Sequence, residues 1–157
     1  MNDAPHWLTT LGAERWQQVQ QAPLAALYLV ASAAPSRGGA AASEIQAAAD
    51  ALQTLVQQAS PGSLLAHAFA AGFDQASYAT MVEAEPGPEV SLRTISNALS
   101  SVQAHSPGEA SLFRSLILGV AQRSAEAAKE GGVLGFGGVR VSEEEQAALD
   151  AIRAMLH

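Results

Sequence analysis

Apolar residues recur along most of this chain three or four residues apart, the spacing of an amphipathic helix. Such a stripe is typical of helices that pack one face on a core, whereas a half-buried strand alternates every second residue. Proline and glycine separate the striped segments, which predict seven or eight helices. Only Val139–Val141 hints at a strand, and it is too short to build a sheet. The pattern therefore predicts an all-α fold.

Proline and glycine also indicate how the chain is organised. A first helix is predicted from Pro5 to Gln21, and Pro23 suits the first turn of a second one. The second helix has a one-sided apolar stripe, formed by Leu24, Leu27, Tyr28 and Ala31. A length of 157 residues fits one domain, 1–157, and the strong break at Glu85–Glu89 defines two candidate halves, 1–85 and 89–157.

Capping residues mark where four later helices begin. Ser43–Gln46 and Ser142–Glu145 are capping boxes, in which a serine and a glutamine or glutamate satisfy free N–H groups. Asp74 is placed to cap a short helix that carries Tyr78. Ser106–Glu109 combines a cap, a proline in the first turn and a glutamate at the third position.

Two of these segments resemble each other. Ser43–Leu52 reads SEIQAAADAL and Glu143–Ile152 reads EEEQAALDAI, with six of ten positions identical. Each follows an apolar helix and a loop that contains glycine. The likeness predicts two helix–loop–helix repeats, at Pro23–Gln58 and Glu109–His157.

The glycine loop, defined as Gly131–Gly138, is the first candidate for chemistry. A dinucleotide fingerprint would need a third glycine where this chain has Arg140. A phosphate-binding P-loop would need lysine and a hydroxyl residue where it has Gly138 and Val139. Neither nucleotide motif is therefore present.

Two roles for the apolar side chains of this loop stay open. The residues concerned are Val133, Leu134, Phe136 and Val139. Glycines let the chain turn sharply, so these side chains can tuck under the adjoining helices as a structural plug. Exposed, they would instead form a surface on which a protein partner docks. The sequence favours the plug.

Composition and charge exclude several classes of function. The net charge is −7, and the single lysine and seven arginines are scattered, so no basic stripe for nucleic acid is present. Anionic membrane surfaces are disfavoured for the same reason. The most apolar run, Ser111–Ser124, is interrupted by Arg114 and is too short to span a bilayer. Without cysteine the chain has no disulfide or thiolate chemistry. We expect a cytoplasmic protein of bacterial type, with no signal peptide.

No local metal-binding motif is present. The four histidines are far apart along the chain, at His6, His67, His105 and His157. Glu143–Glu145 lies where acidic side chains complement the helix dipole, which accounts for the triplet without a metal. We expect His67 to be a partly buried, hydrogen-bonded histidine. No cofactor is predicted.

Sequence motifs of catalysis are also missing. There is no nucleophile elbow, and no carboxylates are paired inside an apolar segment. The one cluster that mixes titratable and apolar groups, at His67, Asp74, Tyr78 and Glu83, is expected to be polar surface on two short helices. The sequence favours a protein that is not an enzyme.

The two helical units resemble the tellurite-resistance-type (TerB-like) all-helical family. The residues that carry the resemblance are Val141, Ser142 and Glu145, which open the second unit, with Ser43 and Gln46 as the weaker counterpart in the first. The resemblance implies a helical fold. The family's acidic loop groups are associated with divalent-metal binding.

The chain departs from that family at the metal-binding positions. Gly137 stands before Gly138 where the family has aspartate, and one extra residue separates Gly138 from Val141. The resemblance thus implies the fold and not the metal site. The stretch 125–149 also resembles segments of uncharacterised bacterial proteins.

Two functions remain open from the sequence. The first is a non-catalytic interaction or scaffold module, which binds a protein partner or forms homo-oligomers. The alternative is a stress-response module of TerB-like type that binds a small ligand or a divalent metal. Alanine-rich helix faces, suited to close helix contact, support the first.

Overall fold

The computed structural model describes residues 6–33, 42–132 and 143–156. These residues form eight α-helices and no strand, which confirms the all-α prediction. The helices are α1 (His6–Leu11), α2 (Ala13–Ser32), α3 (Ala42–Val56), α4 (Leu64–Ala68), α5 (Gln75–Glu83), α6 (Gly87–His105), α7 (Ala110–Gly132) and α8 (Glu143–Met155). A 3-10 turn at Pro107–Glu109 leads into α7.

Helix α2 begins much earlier than the sequence predicted, so the predicted boundary at Pro23 is wrong. The break falls instead at Gly12, whose φ of 89° lies in the region that favours glycine. Pro23 is a buried residue inside α2 and cannot donate to the carbonyl of Val19. That defect costs about 3 kcal/mol, whereas burying one leucine or valine gains about 1.5–3 kcal/mol. Several such residues are buried beyond Pro23, so the helix continues.

The second half of α2 is buried on nearly all sides. Its buried residues after Pro23 are Leu24, Ala25, Ala26, Leu27, Leu29, Val30 and Ala31. The prediction of a one-sided stripe there is therefore wrong, because a helix that is apolar all round belongs in the core. Helices α1, α5, α6, α7 and α8 all contact α2.

Two long helix pairs form the frame. Helix α2 packs against α6, and α3 packs against α7; α2 also contacts α7. Each of these pairs joins the candidate halves 1–85 and 89–157 to one another. Gly119 of α7 lies so close to α3 that an added Cβ would come within 2.6 Å of Leu55 Cδ1. The helices within each predicted repeat, α2 with α3 and α7 with α8, contact each other less than these pairs do. The repeat itself stays a prediction.

Glu109, more than forty residues further along the chain, holds the short helix α4 in place. Its carboxylate accepts hydrogen bonds from the backbone N–H groups of Leu64 and Leu65, both at 3.0 Å. The Ser63 hydroxyl accepts the next one, from Ala66 at 3.3 Å. Ser106 Oγ in turn donates to Glu109 Oε2 at 2.5 Å. A helix of five residues is not stable alone, and here its free N–H groups are satisfied from outside.

The capping predictions have mixed outcomes. Asp74 does cap α5, because Ser77 N–H donates to its carboxylate at 2.9 Å. Chain segment Ser106–Glu109 does precede a helix, but the glutamate caps α4 instead of its own helix. Ser43 lies inside α3, which begins at Ala42, so its predicted cap position is wrong. Ser142 lies outside the described residues.

Polar contacts tie the two ends of the described chain to the frame. Trp7 Nε1 donates to the carbonyl of Gly62 at 3.1 Å, which holds α1 against the turn before α4. Arg114 Nε donates to the carbonyl of Leu156 at 2.6 Å and so joins α7 to the end of α8. Within the described ranges, no helix has the length and apolar character needed to cross a bilayer.

Glu109→Ala should lower the free energy of unfolding by about 1–3 kcal/mol, because it leaves two N–H groups of α4 without their charged acceptor. Urea unfolding of the variant and the parent measures the difference. Glu83→Ala is the matched control, since Glu83 is exposed at the end of α5 and should change stability little. Equal effects of the two substitutions would contradict the role given to Glu109.

Candidate functional site

A cleft of about 500 Å³ lies between α2, α5 and α6. Its volume is in the range of small-molecule sites in proteins, about 300–1,000 Å³. Twelve residues line it: Gln21, Leu24, Ala25, Ser77, Thr80, Met81, Ala84, Glu85, Pro86, Val90, Ser91 and Thr94. We call this space the α2–α5–α6 cleft.

Half of the lining is apolar. The six residues are Leu24 and Ala25 from α2, Met81 and Ala84 from α5 and its end, Pro86 from the turn, and Val90 from α6. Val90 is 45% exposed, which makes it one of two large hydrophobic side chains described as exposed. A ligand that covers an exposed apolar side chain removes apolar surface from water, and this favours binding.

Three of the four hydroxyl groups in the cleft lining have their hydrogens engaged elsewhere. Thr80 Oγ1 donates to the carbonyl of Ala76 at 3.0 Å, and Thr94 Oγ1 donates to the carbonyl of Val90 at 2.9 Å. Ser77 Oγ donates to the Asp74 carboxylate at 3.0 Å. A hydroxyl has one hydrogen and two lone pairs, so these oxygens can still accept hydrogen bonds. This part of the wall therefore offers acceptors.

Ser91 is the polar residue of the cleft that the fold leaves unsatisfied. It is 1% exposed, and its hydroxyl has no hydrogen-bond partner. Leaving a buried hydroxyl without a partner costs about 1–3 kcal/mol. The sequence contains a signal for its position: Ser91 is four residues before Ile95, on the buried face that continues to Ala98 and Val102. A serine on that stripe is where an apolar residue would be expected.

Glu85 is the one charged residue among the twelve, and its backbone is unusual. Its φ is 47°, and no other non-glycine residue described has a positive φ. Left-handed backbone is uncommon outside glycine and carries a free-energy cost. The turn is closed by the Glu85 N–H, which donates to the carbonyl of Val82 at 3.0 Å. The side chain is exposed, so its charge is available at the mouth of the cleft.

Two other grooves are less suited to an organic ligand. One of about 490 Å³ lies between the start of α2 and the end of α6, and all but one of its lining residues are polar. The other, about 340 Å³, lies between α3 and the start of α5. Neither contains a buried polar atom without a partner.

The four residues of the cluster that the sequence singled out, His67, Asp74, Tyr78 and Glu83, differ in their surroundings. His67 is partly buried, and its Nδ1 lies 3.1 Å from the carbonyl of Ser63, as expected. Its ring also meets His6 edge-on, with centroids 6.5 Å apart, a contact that the sequence did not reveal. Asp74 and Glu83 are exposed, as expected, but Tyr78 is 6% exposed and belongs to the core.

The apolar residues of the glycine loop, Val133, Leu134, Phe136 and Val139, lie outside the described residues. Their role as plug or docking surface stays a prediction. Across the part of the chain that the structure does describe, no three histidine or carboxylate side chains are grouped so as to hold a metal ion. Two buried glutamates, Glu44 and Glu145, both have interaction partners.

Comparison with known protein families, with curated proteins and with solved structures finds no significant match. The TerB-like resemblance therefore stays a prediction from the sequence.

Ser91→Ala should raise the free energy of unfolding, because it removes a buried hydroxyl without a partner. Ser100→Ala, at an exposed position of the same helix, is the matched control for the helix propensity of alanine. In urea unfolding, we expect the free energy of unfolding of Ser91→Ala to rise by about 1 kcal/mol more than that of the control. If the two variants gain the same stability, the Ser91 hydroxyl is satisfied in solution.

Asp74 should make the protein acid-sensitive. The hydrogen bond from the Ser77 N–H, followed by that from its hydroxyl, holds the pKa of Asp74 below its ordinary value of 3.8. A lowered pKa stabilises the fold above pH 3.8, and this stabilisation is lost as the pH falls through the lowered pKa. Asp74→Ala should therefore destabilise the protein near neutral pH, with a deficit that narrows in acid. Urea unfolding at a series of pH values measures the difference in unfolding free energy between the variant and the parent. A difference that does not change with pH would contradict the role given to Asp74.

Proposed function

We propose that the protein is a non-catalytic binding module and that a small amphipathic molecule occupies the α2–α5–α6 cleft. The proposal joins the non-catalytic character predicted first with the small ligand of the alternative prediction. The observation that carries it is the buried, unpartnered hydroxyl of Ser91 in the wall of a cleft of ligand size.

The lining supports an amphipathic ligand over a purely polar one. Leu24 and Ala25, which are 8% and 1% exposed, form the apolar α2 side of the cleft. A ligand body that lies over Met81 and Val90 would cover apolar surface at about 25 cal/mol per Å². Polar groups at a few fixed points around an apolar wall are the usual composition of a small-molecule site.

Ser91 supports binding by a second physical route. Alanine at this position would favour the helix and remove the unsatisfied group, so Ser91 carries a cost in stability while the cleft is empty. Its hydroxyl is closed to water in the described structure, so a ligand would reach it only after a small shift of the wall. A ligand group that forms a hydrogen bond with the Ser91 hydroxyl removes the cost of leaving that hydroxyl without a partner, and this contributes to binding.

A titration with 4-phenylbutanol, a neutral amphipathic probe, tests the proposal. Two-dimensional NMR of the amide groups should show saturable shifts at Met81, Glu85 and Ser91. Ala84→Phe should fill the cleft and weaken binding at least tenfold. Ala79→Phe is the matched control, because Ala79 is exposed on the same helix and does not line the cleft.

Each outcome of the titration either supports or contradicts the proposal. A preserved NMR spectrum with binding lost only in Ala84→Phe supports the cleft as the site. No shift with the probe, or equal binding by both phenylalanine variants, contradicts the proposal. For any tighter ligand found later, a concentration of one hundred times Kd should stabilise the fold by about 2.7 kcal/mol.

A further inference from the structure

We propose further that the α2–α5–α6 cleft selects a ligand with a positively charged, hydrogen-bond-donating head group, such as an alkylammonium joined to an apolar body. The inference rests on the proposed function and adds the chemical class of the ligand. Two independent features carry it: the direction of the hydrogen bonds in the cleft wall, and the sign of the charge at its mouth.

The first feature is that the wall accepts more hydrogen bonds than it can donate. The hydroxyl hydrogens of Ser77, Thr80 and Thr94 are donated to neighbouring groups of their own helices or caps. The Glu85 carboxylate accepts only. Apart from the hydroxyl of Ser91, the donor left in the described lining is the side-chain amide of Gln21. An ammonium group, with hydrogens and no lone pair, complements this wall, whereas a carboxylate does not.

The second feature is the charge. Glu85 is the one charged residue of the lining, and no lysine, arginine or histidine is among the twelve. The chain as a whole carries a net charge of −7, which also favours a cation. The end of α5 lies at the cleft through Ala84, and the negative end of a helix dipole adds to the same preference.

The start of α6 would oppose this preference if its N–H groups were free, since a helix N-terminus attracts anions. Here Pro86 and Pro88 have no N–H to offer, so two of the first four positions, Gly87 and Glu89, are left to donate, and Glu89 adds a negative charge in the first turn. An anion therefore meets fewer N–H groups here than at an ordinary helix start, beside a carboxylate.

Three probes with one apolar body and different head groups test the inference: 4-phenylbutylammonium, 4-phenylbutanol and 4-phenylbutyrate. An exposed ion pair contributes about 0.2–1 kcal/mol, so the ammonium should bind roughly 1.4- to fivefold more tightly than the alcohol. The carboxylate should bind more weakly than both. Raising the salt from about 0.01 M to about 1 M should remove the difference, because the Debye length falls from about 30 Å to about 3 Å.

Glu85→Gln identifies the group responsible. The variant keeps a side chain of the same size, and because Glu85 is exposed it should fold like the parent. It should bind the ammonium only as tightly as it binds the alcohol. Glu14→Gln is the matched control, because Glu14 is exposed at the start of α2 and lies outside the lining; it should keep the preference of the parent.

Each result decides between the two proposals. Binding of the alcohol with no preference for the ammonium, or tightest binding of the carboxylate, overturns the inference and leaves the proposed function standing. Lack of binding by all three probes overturns the proposed function and the inference with it. A preference for the ammonium that survives in Glu85→Gln assigns the selectivity to another group and is also contrary to the inference.

Discussion

The fold depends on the burial of one helix on nearly all of its sides. From Ala22 to Ala31, helix α2 is covered by neighbours from both halves of the chain. The gain from this burial exceeds the cost of a proline in its middle. Because α1, α5, α6, α7 and α8 must all face the same helix, its apolar surface fixes where they lie. Small alanine side chains on α2 let these neighbours approach closely.

The α2–α5–α6 cleft is where the helices packed around α2 keep unfavourable groups. Three unfavourable features meet there: the exposed apolar side chain of Val90, the unpartnered hydroxyl of Ser91 and the left-handed backbone of Glu85. The unsatisfied hydroxyl and the strained backbone each cost on the order of 1–3 kcal/mol. In a domain of ordinary stability, about 5–15 kcal/mol, such costs in one place are large. A ligand that covers Val90 and bonds to Ser91 would offset two of them.

The sequence predicted the class of fold and the number of helices, because apolar periodicity and glycine or proline breaks are local signals. It ended one helix at Gln21 and began the next at Pro23, since local propensity does not register how much apolar surface the later residues bury. It identified the cap at Asp74, which bonds three residues away, but it could not assign Glu109 to α4, whose N–H groups lie more than forty residues away. The candidate site was missed for the same reason. Its walls come from three helices, and its main signal is one serine on an otherwise apolar stripe.

Intermolecular NOEs between bound 4-phenylbutylammonium and the methyl groups of the protein test most directly whether the cleft is a binding site. We predict contacts from the phenyl ring to the methyl groups of Met81 and Val90, with the methylene beside the ammonium nearest to Glu85. Contacts only to methyl groups outside the lining, such as those of Leu55 on α3, would contradict the account, as would the absence of any contact at saturating probe.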